Sequence, residues 1–224
     1  TVQHLKKGSR IVICGDYDAD GVTSSAIMAE TLKVLGGKID VWIPSRFGEG
    51  YGLNKNIIEE LSKQNVALII TVDNGVRAKE EVAYARSLGM DVIVTDHHEG
   101  PAEQNELPDC LVINPILASE AYPFKYLCGA GVAYKFAAAL IDSSTLAVET
   151  KESLKRRVVD LAAVGTISDC VSLSGENRLI VKQGLELLRK SPRRGLRELM
   201  EVAAINYSDI NAWNISWQIT PRLN

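Results

Sequence analysis

The four cysteines of this 224-residue chain, Cys14, Cys110, Cys128 and Cys170, stand far apart, with no Cys-x-x-Cys spacing among them. That excludes a zinc ribbon and leaves a reduced, cytoplasmic protein as the expectation. No stretch approaches the ~20 apolar residues of a membrane-spanning helix. Residues 1–10 are polar and basic, and no apolar h-region of a secretory leader follows them. There is no excess of positive charge either: 25 Lys and Arg face 28 Asp and Glu, for a net charge of −3. A general electrostatic pull toward nucleic acid is therefore missing, and any such binding has to come from a local patch or a metal site. Internal repeats and low-complexity segments are also lacking. What remains is a chain that is 46% hydrophobic, ordinary for a globular protein, and long enough for one large domain or one domain with an appendage.

The first half alternates in character. Arg10–Cys14 is a short apolar run bounded by turn residues, as in a buried strand. Gly21–Leu35 has helical spacing and stops at Gly36-Gly37. Lys38–Pro44 alternates like a strand through Ile39, Val41 and Ile43. Asn54–Gln64 reads as a helix with an Asn cap, Val66–Val72 as a strand and Lys79–Leu88 as a helix closed by Gly89. Asp91–Thr95 and Leu111–Ile113 read as further strands. This order predicts an α/β fold, a parallel β-sheet flanked by helices. Beyond Gly129 the pattern is mostly helical, with helices expected over Gly131–Ile141, Ser153–Val164, Arg178–Arg189 and Gly195–Val202 and a surface loop over Asp142–Thr150. The chain thus divides into an α/β part, 1–128, and a mainly helical part, 129–224.

Three of the expected strands end in turns that carry acid or histidine: Asp16, Asp18 and Asp20 after the first, Asp73 after the third, and Asp96-His97-His98 after the fourth. A single Asp-Gly is ordinary turn chemistry, and one His-His pair says little. In an open parallel sheet, however, ligands bind beyond the carboxyl ends of the strands, so these three turns meet at one edge. Carboxylates gathered there repel one another unless protons or cations lie among them. Carboxylate together with imidazole suits Mn²⁺ or Zn²⁺ better than Ca²⁺.

The chain resembles the DHH phosphoesterase superfamily, and within it the RecJ-like exonucleases. The resemblance rests on Gly15-Asp-Tyr-Asp-Ala-Asp-Gly-Val22, Ile43-Pro-Ser-Arg-Phe47 with Glu49-Gly-Tyr-Gly-Leu-Asn54, and Thr71-Val-Asp-Asn-Gly75. It continues through Val94-Thr-Asp-His-His98, Cys128-Gly-Ala-Gly-Val-Ala133, Gly165-Thr-Ile-Ser-Asp169 and Pro221-Arg-Leu-Asn224. It implies a metal-dependent phosphodiesterase that hydrolyses single-stranded DNA from the 5′ end by two-metal-ion catalysis, in DNA repair and recombination. Other members of the superfamily cleave short oligonucleotides or cyclic dinucleotides, and some RecJ-like proteins are non-catalytic replication scaffolds. The resemblance implies Asp18, Asp20, Asp73, His97 and Asp169 as ligands of one or two Mn²⁺ ions, with Mg²⁺ as the alternative. It implies His98 as a contact to the scissile phosphate, and Asp16 and Asp96 as groups that orient ligands. Asp169 enters only through the family motif; its own surroundings read as a cap or turn.

Phosphatase relatives carry a His where this chain has Cys14, which argues for a weaker second metal; as a residue in its own right, Cys14 reads as buried strand. Substrate contacts are expected from Arg46, which equally suits a solvated surface, from Gly129 and Gly131, whose turn before a helix suits a phosphate on its N–H groups or, equally, tight packing, and from Arg222 and Asn224. The expected partners are single-stranded DNA, with RNA as an alternative, and replication or repair proteins. RecJ-like proteins continue into a second DHH-associated domain, which is expected to be absent from this chain.

Overall fold

The computed structural model describes residues 1–45, 52–190 and 193–224. A short helix α1 (Val2–Lys7) is followed by β1 (Arg10–Cys14), α2 (Ala19–Val34), β2 (Lys38–Trp42) and α3 (Lys55–Lys63). Then come β3 (Val66–Val72), α4 (Lys79–Ser87), β4 (Asp91–Thr95) and β5 (Leu111–Ile113). Among the described residues these strands form one five-stranded sheet in the order β2-β1-β3-β4-β5, with every neighbouring pair parallel. Parallel neighbours need crossovers, which α2, α3 and α4 supply up to β4; the one from β4 to β5 is a loop with a single 3-10 turn, Gln104–Glu106. The expected α/β architecture is therefore the one observed.

Side chains alternate along each strand, so an apolar strand feeds two cores. Ile11, Ile13, Ile70 and Val72 face α2 and the later helices, while Val12, Cys14, Ile69, Val92 and Val94 pack on Ile57, Ile58 and Leu61 of α3 and Val82 and Ala85 of α4. Helices α5 (Gly129–Asp142), α6 (Val148–Ser168), α7 (Gly175–Lys190) and α8 (Arg194–Val202) continue the first of these cores. The chain finishes in a helical segment made of Ala212–Asn214, a π-turn Ile215–Ile219, and Thr220–Leu223. Among the described residues, no helix is long and apolar enough to cross a membrane.

Element boundaries depart from the sequence pattern where a side chain caps an end. Helix α2 begins at Ala19 rather than Gly21, because the Asp18 carboxylate accepts the Gly21 N–H at 2.8 Å. Helix α5 begins at Gly129 rather than Gly131, with Cys128 Sγ accepting the Gly131 N–H. The expected loop over Asp142–Thr150 is shorter, since α6 already starts at Val148. Its first turns are polar, so apolar spacing gives no sign of them, and Lys151 and Lys155 fasten them to Asp142 at 2.8 and 3.0 Å. The strand expected over Lys38–Pro44 ends at Trp42 on the sheet edge.

Candidate metal centre

The turns after β1, β3 and β4 open at the same end of the sheet, and the C-terminus of α6 brings Asp169 to it. Asp18 stands at the N-cap of α2 and Asp20 in its first turn. Asp20 is only 1% exposed; its Oδ2 accepts the Gly129 N–H at 2.6 Å and its Oδ1 the Ala130 N–H at 2.9 Å. A charged group so placed is favoured by the helix N-terminus it faces. Asp73 leaves β3 in the left-handed region, with φ 62°, uncommon for a non-glycine residue. The conformation is held from several sides. Asp73 N–H donates to the Thr95 carbonyl at 3.0 Å, and Thr71 Oγ1 donates to the Asn74 carbonyl at 2.8 Å. Asn74 Nδ2 bridges the carbonyls of Cys14 at 3.1 Å and Val72 at 2.9 Å, tying the ends of β1 and β3 together.

His97 occupies the middle. Its Nε2 lies 3.1 Å from Asp73 Oδ1, 3.7 Å from Asp20 Oδ2 and 3.8 Å from Asp169 Oδ2. This nitrogen is buried and makes no hydrogen bond among the described residues. Among the described residues, three overlapping groups each place their donor atoms within 4.8 Å of one another: Asp20, His97 and Asp169; Asp16, Asp18 and Asp73; and Asp73, His97 and His98. Asp16 therefore stands among the donors with Asp18 and Asp73, closer in than the orienting role expected for it, while its Oδ1 also accepts the Tyr17 N–H at 2.7 Å. Asp96 sits behind the cluster. Its Oδ1 accepts the N–H groups of His97 at 2.7 Å and His98 at 3.1 Å and lies 2.8 Å from His98 Nδ1. Its Oδ2 accepts the Val76 N–H at 2.9 Å.

The electrostatics follow from burial and crowding. Burial, and then repulsion from Asp20, Asp18, Asp96 and Asp169, pushes Asp73 well above the usual carboxylate range. Burial also raises Asp20, against the opposing pull of His97 and the Ala130 N–H, and raises Asp169 to about 7 with help from Asp20 and Asp18. Burial lowers His97 despite its acidic neighbours, so the ring stays neutral, the form that ligates metals. Burial alone would raise Asp96, but hydrogen bonds from His98 and Val76 bring it below its usual value, and the same Asp96 contact raises His98. Anionic oxygens that cannot all ionise in one another's company, around a neutral imidazole nitrogen, form a donor set suited to a divalent cation.

Burial pushes the Cys14 thiol up to about 12, and it packs in the second core on the strand side of Asn74, a structural place rather than a ligand's. The sites expected to touch substrate fare differently. Arg46 lies outside the described residues. The N–H groups of Gly129 and Gly131 are already given to Asp20 and Cys128, so the start of α5 holds a protein carboxylate where a phosphate was expected. Arg222 is exposed and donates to the Gln218 carbonyl on its own segment. Asn224 is exposed, but its Oδ1 accepts the Ala19 N–H at 2.6 Å. A cavity of about 670 Å³ opens beside His98, lined among others by Leu53, Val76 and Arg77.

Two residues of the site escaped the sequence reading. Asn74 lies in the Thr71–Gly75 motif but was given no role of its own. Gly165 lies where a Cβ would fall 2.4 Å from Ala130 Cβ and 2.7 Å from Asp20 Oδ1, so α6 can approach the acidic turn only as glycine. For Gly165, as for Asn74, the hint in the sequence was its place in a family motif.

Comparison with known proteins agrees with this geometry. The family model described as "DHH family, N-terminal domain" matches residues 10–166. The chain is 44% identical over 224 residues to the single-stranded-DNA-specific exonuclease RecJ of Bacillus subtilis strain 168, covering 99% of this chain and 27% of that protein. It is 37% identical over 232 residues to the RecJ of Escherichia coli strain K12, covering 98% of this chain and 39% of that one. A crystal structure of exonuclease RecJ bound to manganese superimposes with a TM-score of 0.86 at 36% identity, over 99% of this chain and 54% of the other. The chain thus spans between 27% and 39% of the length of these two curated relatives.

Proposed function

The chain belongs to the DHH family, and from that premise we propose that it is the metal-holding, phosphodiester-cleaving domain of a RecJ-like exonuclease acting on single-stranded DNA from the 5′ end. The observation that carries this reading is the position of His97 Nε2, 3.1 to 3.8 Å from carboxylates of three separate elements. Asp18, Asp20, Asp73, His97 and Asp169 would hold one or two Mn²⁺ ions, with Asp16 beside them and Mg²⁺ a weaker substitute. Bound ions would supply positive charge against the phosphate and lower the pKa of a water near it.

The protein's own groups do the rest. Asp96 fixes the His98 ring through Nδ1 and makes it more basic. His98 Nε2–H then donates to a non-bridging phosphate oxygen, where charge grows as the bond breaks. Asn74 and the Asp73 backbone hold the acidic turns in register, so little reorganisation accompanies the reaction. Residues 1–224 act as one DHH phosphoesterase domain, its sheet part and its helical part sharing a core. The cellular setting that fits is cytoplasmic DNA repair and recombination.

The test is hydrolysis of a 5′-phosphorylated single-stranded oligonucleotide beside a dinucleotide, with Mn²⁺ or with chelator. Mn²⁺-dependent release of nucleotides from the 5′ end of the longer strand supports the reading, as does a turnover reduced at least ~100-fold in His98→Ala with Mn²⁺ affinity preserved. Faster cleavage of the dinucleotide would make the protein a short-oligonucleotide phosphodiesterase instead. Binding of Mn²⁺ with no hydrolysis of either would make it a scaffold.

A further inference from the structure

The terminal helical segment, 212–224, touches the backbone neighbours of three acidic residues of the metal centre, and it does so through two polar side chains. Asn224 Oδ1 accepts the Ala19 N–H at 2.6 Å, across 205 positions of sequence. Ala19 is the first residue of α2 and lies between Asp18 and Asp20. An N–H in that position has no partner inside its own helix, so Asn224 acts as a cap supplied from a distance. The second contact joins Thr220 to Ser168, the residue before Asp169, with the two hydroxyl oxygens 2.6 Å apart. Thr220 Oγ1 already donates to the Ile215 carbonyl at 2.9 Å. Its proton is therefore spent, and Ser168 must be the donor of the shared bond. The Ile215 carbonyl belongs to the π-turn, a kind of irregularity often found at functional sites. Thr220 is 7% exposed and Ser168 half-buried, so the shared bond lies at the edge of the core rather than in open solvent.

We infer that Asn224 and Thr220 are positioning residues that set the spacing of Asp18 and Asp20 against Asp169. The inference rests on the metal-centre reading above. Asn224 thereby acts on the ligand loop rather than on substrate. Neither side chain supplies a metal donor, so their effect has to pass through the acidic turn and the end of α6.

The experiment is Mn²⁺ titration by calorimetry, with the melting temperature of the metal-free protein measured alongside, on the 224-residue chain and four variants. Asn224→Ala and Thr220→Val remove the acceptors; Asn224→Asp and Thr220→Ser retain them. The expected result is roughly tenfold weaker Mn²⁺ binding in the first pair, the size usual for groups that orient metal ligands, and binding near that of the unsubstituted chain in the second. If Asn224→Ala or Thr220→Val fails to fold, the retained-acceptor variants still decide, because weakened binding in them would also contradict the inference. Affinities within about twofold in the first pair overturn it. So does a loss that Thr220→Ser fails to restore. Absence of Mn²⁺ binding by the unsubstituted chain would instead bring down the metal-centre reading itself.

Discussion

Asp73 is buried at 2% exposure, held at φ 62°, and surrounded by Asp20, Asp18, Asp96 and Asp169. Each of these features costs stability in the absence of a cation. Asn tolerates the left-handed conformation and matches Asp in shape, so Asp73→Asn isolates the charge. Mn²⁺ affinity should fall at least ~10-fold in calorimetry, while the melting temperature in chelator should rise, since a buried carboxyl that the metal-free fold forces to keep its proton is replaced by a neutral amide. A fall in both would mean that Asp73 serves the fold rather than the ion. Cys14→Ser is the counterpart. Its thiol sits in the second core, so the variant should lose stability, by about 1–3 kcal/mol in chemical denaturation, with Mn²⁺ affinity unchanged.

At the scale of elements, the site depends on how closely α6 and α5 approach the turn after β1. A Cβ at Gly165 would meet both Ala130 and Asp20, whereas one at Gly184 would meet Ala163 Cβ at 2.2 Å on the side of α6 that faces α7. Gly165→Ala and Gly184→Ala should each destabilise by about 1–3 kcal/mol, read by denaturant unfolding. Only the first should also weaken Mn²⁺ binding in the folded protein. This contrast bears on what the sequence could reveal. The strands were legible because Ile11 to Cys14 and Leu68 to Val72 are covered on both faces and are apolar but for Thr71, whose hydroxyl is satisfied by the Asn74 carbonyl. The acidic turns were legible because strand ends of a parallel sheet converge. The start of α6 was not, because its first turns are polar and fastened by lysines. Nor was the contact of Asn224 with Ala19, since the helical segment carrying it follows no apolar spacing that marks its partner. Gly129 misled for a physical reason: a glycine at a helix start suits a phosphate and a protein carboxylate equally well, and here the carboxylate is Asp20.

For the molecule as a whole, the raised carboxyls make stability depend on pH in a definite direction. Asp169 sits at about 7 in the fold, against ~3.9 for an unfolded aspartate. A carboxyl raised on folding contributes stability that is complete below the unfolded value and lost as pH climbs through the folded one. Asp20 and Asp73 shift the same way, as does His98, whose raised value is lost on deprotonation. His97 is lowered and opposes them, but its contribution is nearly complete above pH ~6.5. Between pH 6.5 and 8 the metal-free protein should therefore lose stability, with Asp169 contributing, as a falling melting temperature in chelator. With saturating Mn²⁺ the trend should reverse, because the ligands must shed their protons to bind it. Everything about function rests on one arrangement, acidic turns distant in sequence meeting around His97. The direct measurement is anomalous scattering from a crystal of the chain soaked in Mn²⁺. Density is expected within about 2.5 Å of both His97 Nε2 and an Asp73 carboxylate oxygen. Crystals saturated with Mn²⁺ that show no peak there, or a peak only at a place away from both residues, would contradict it.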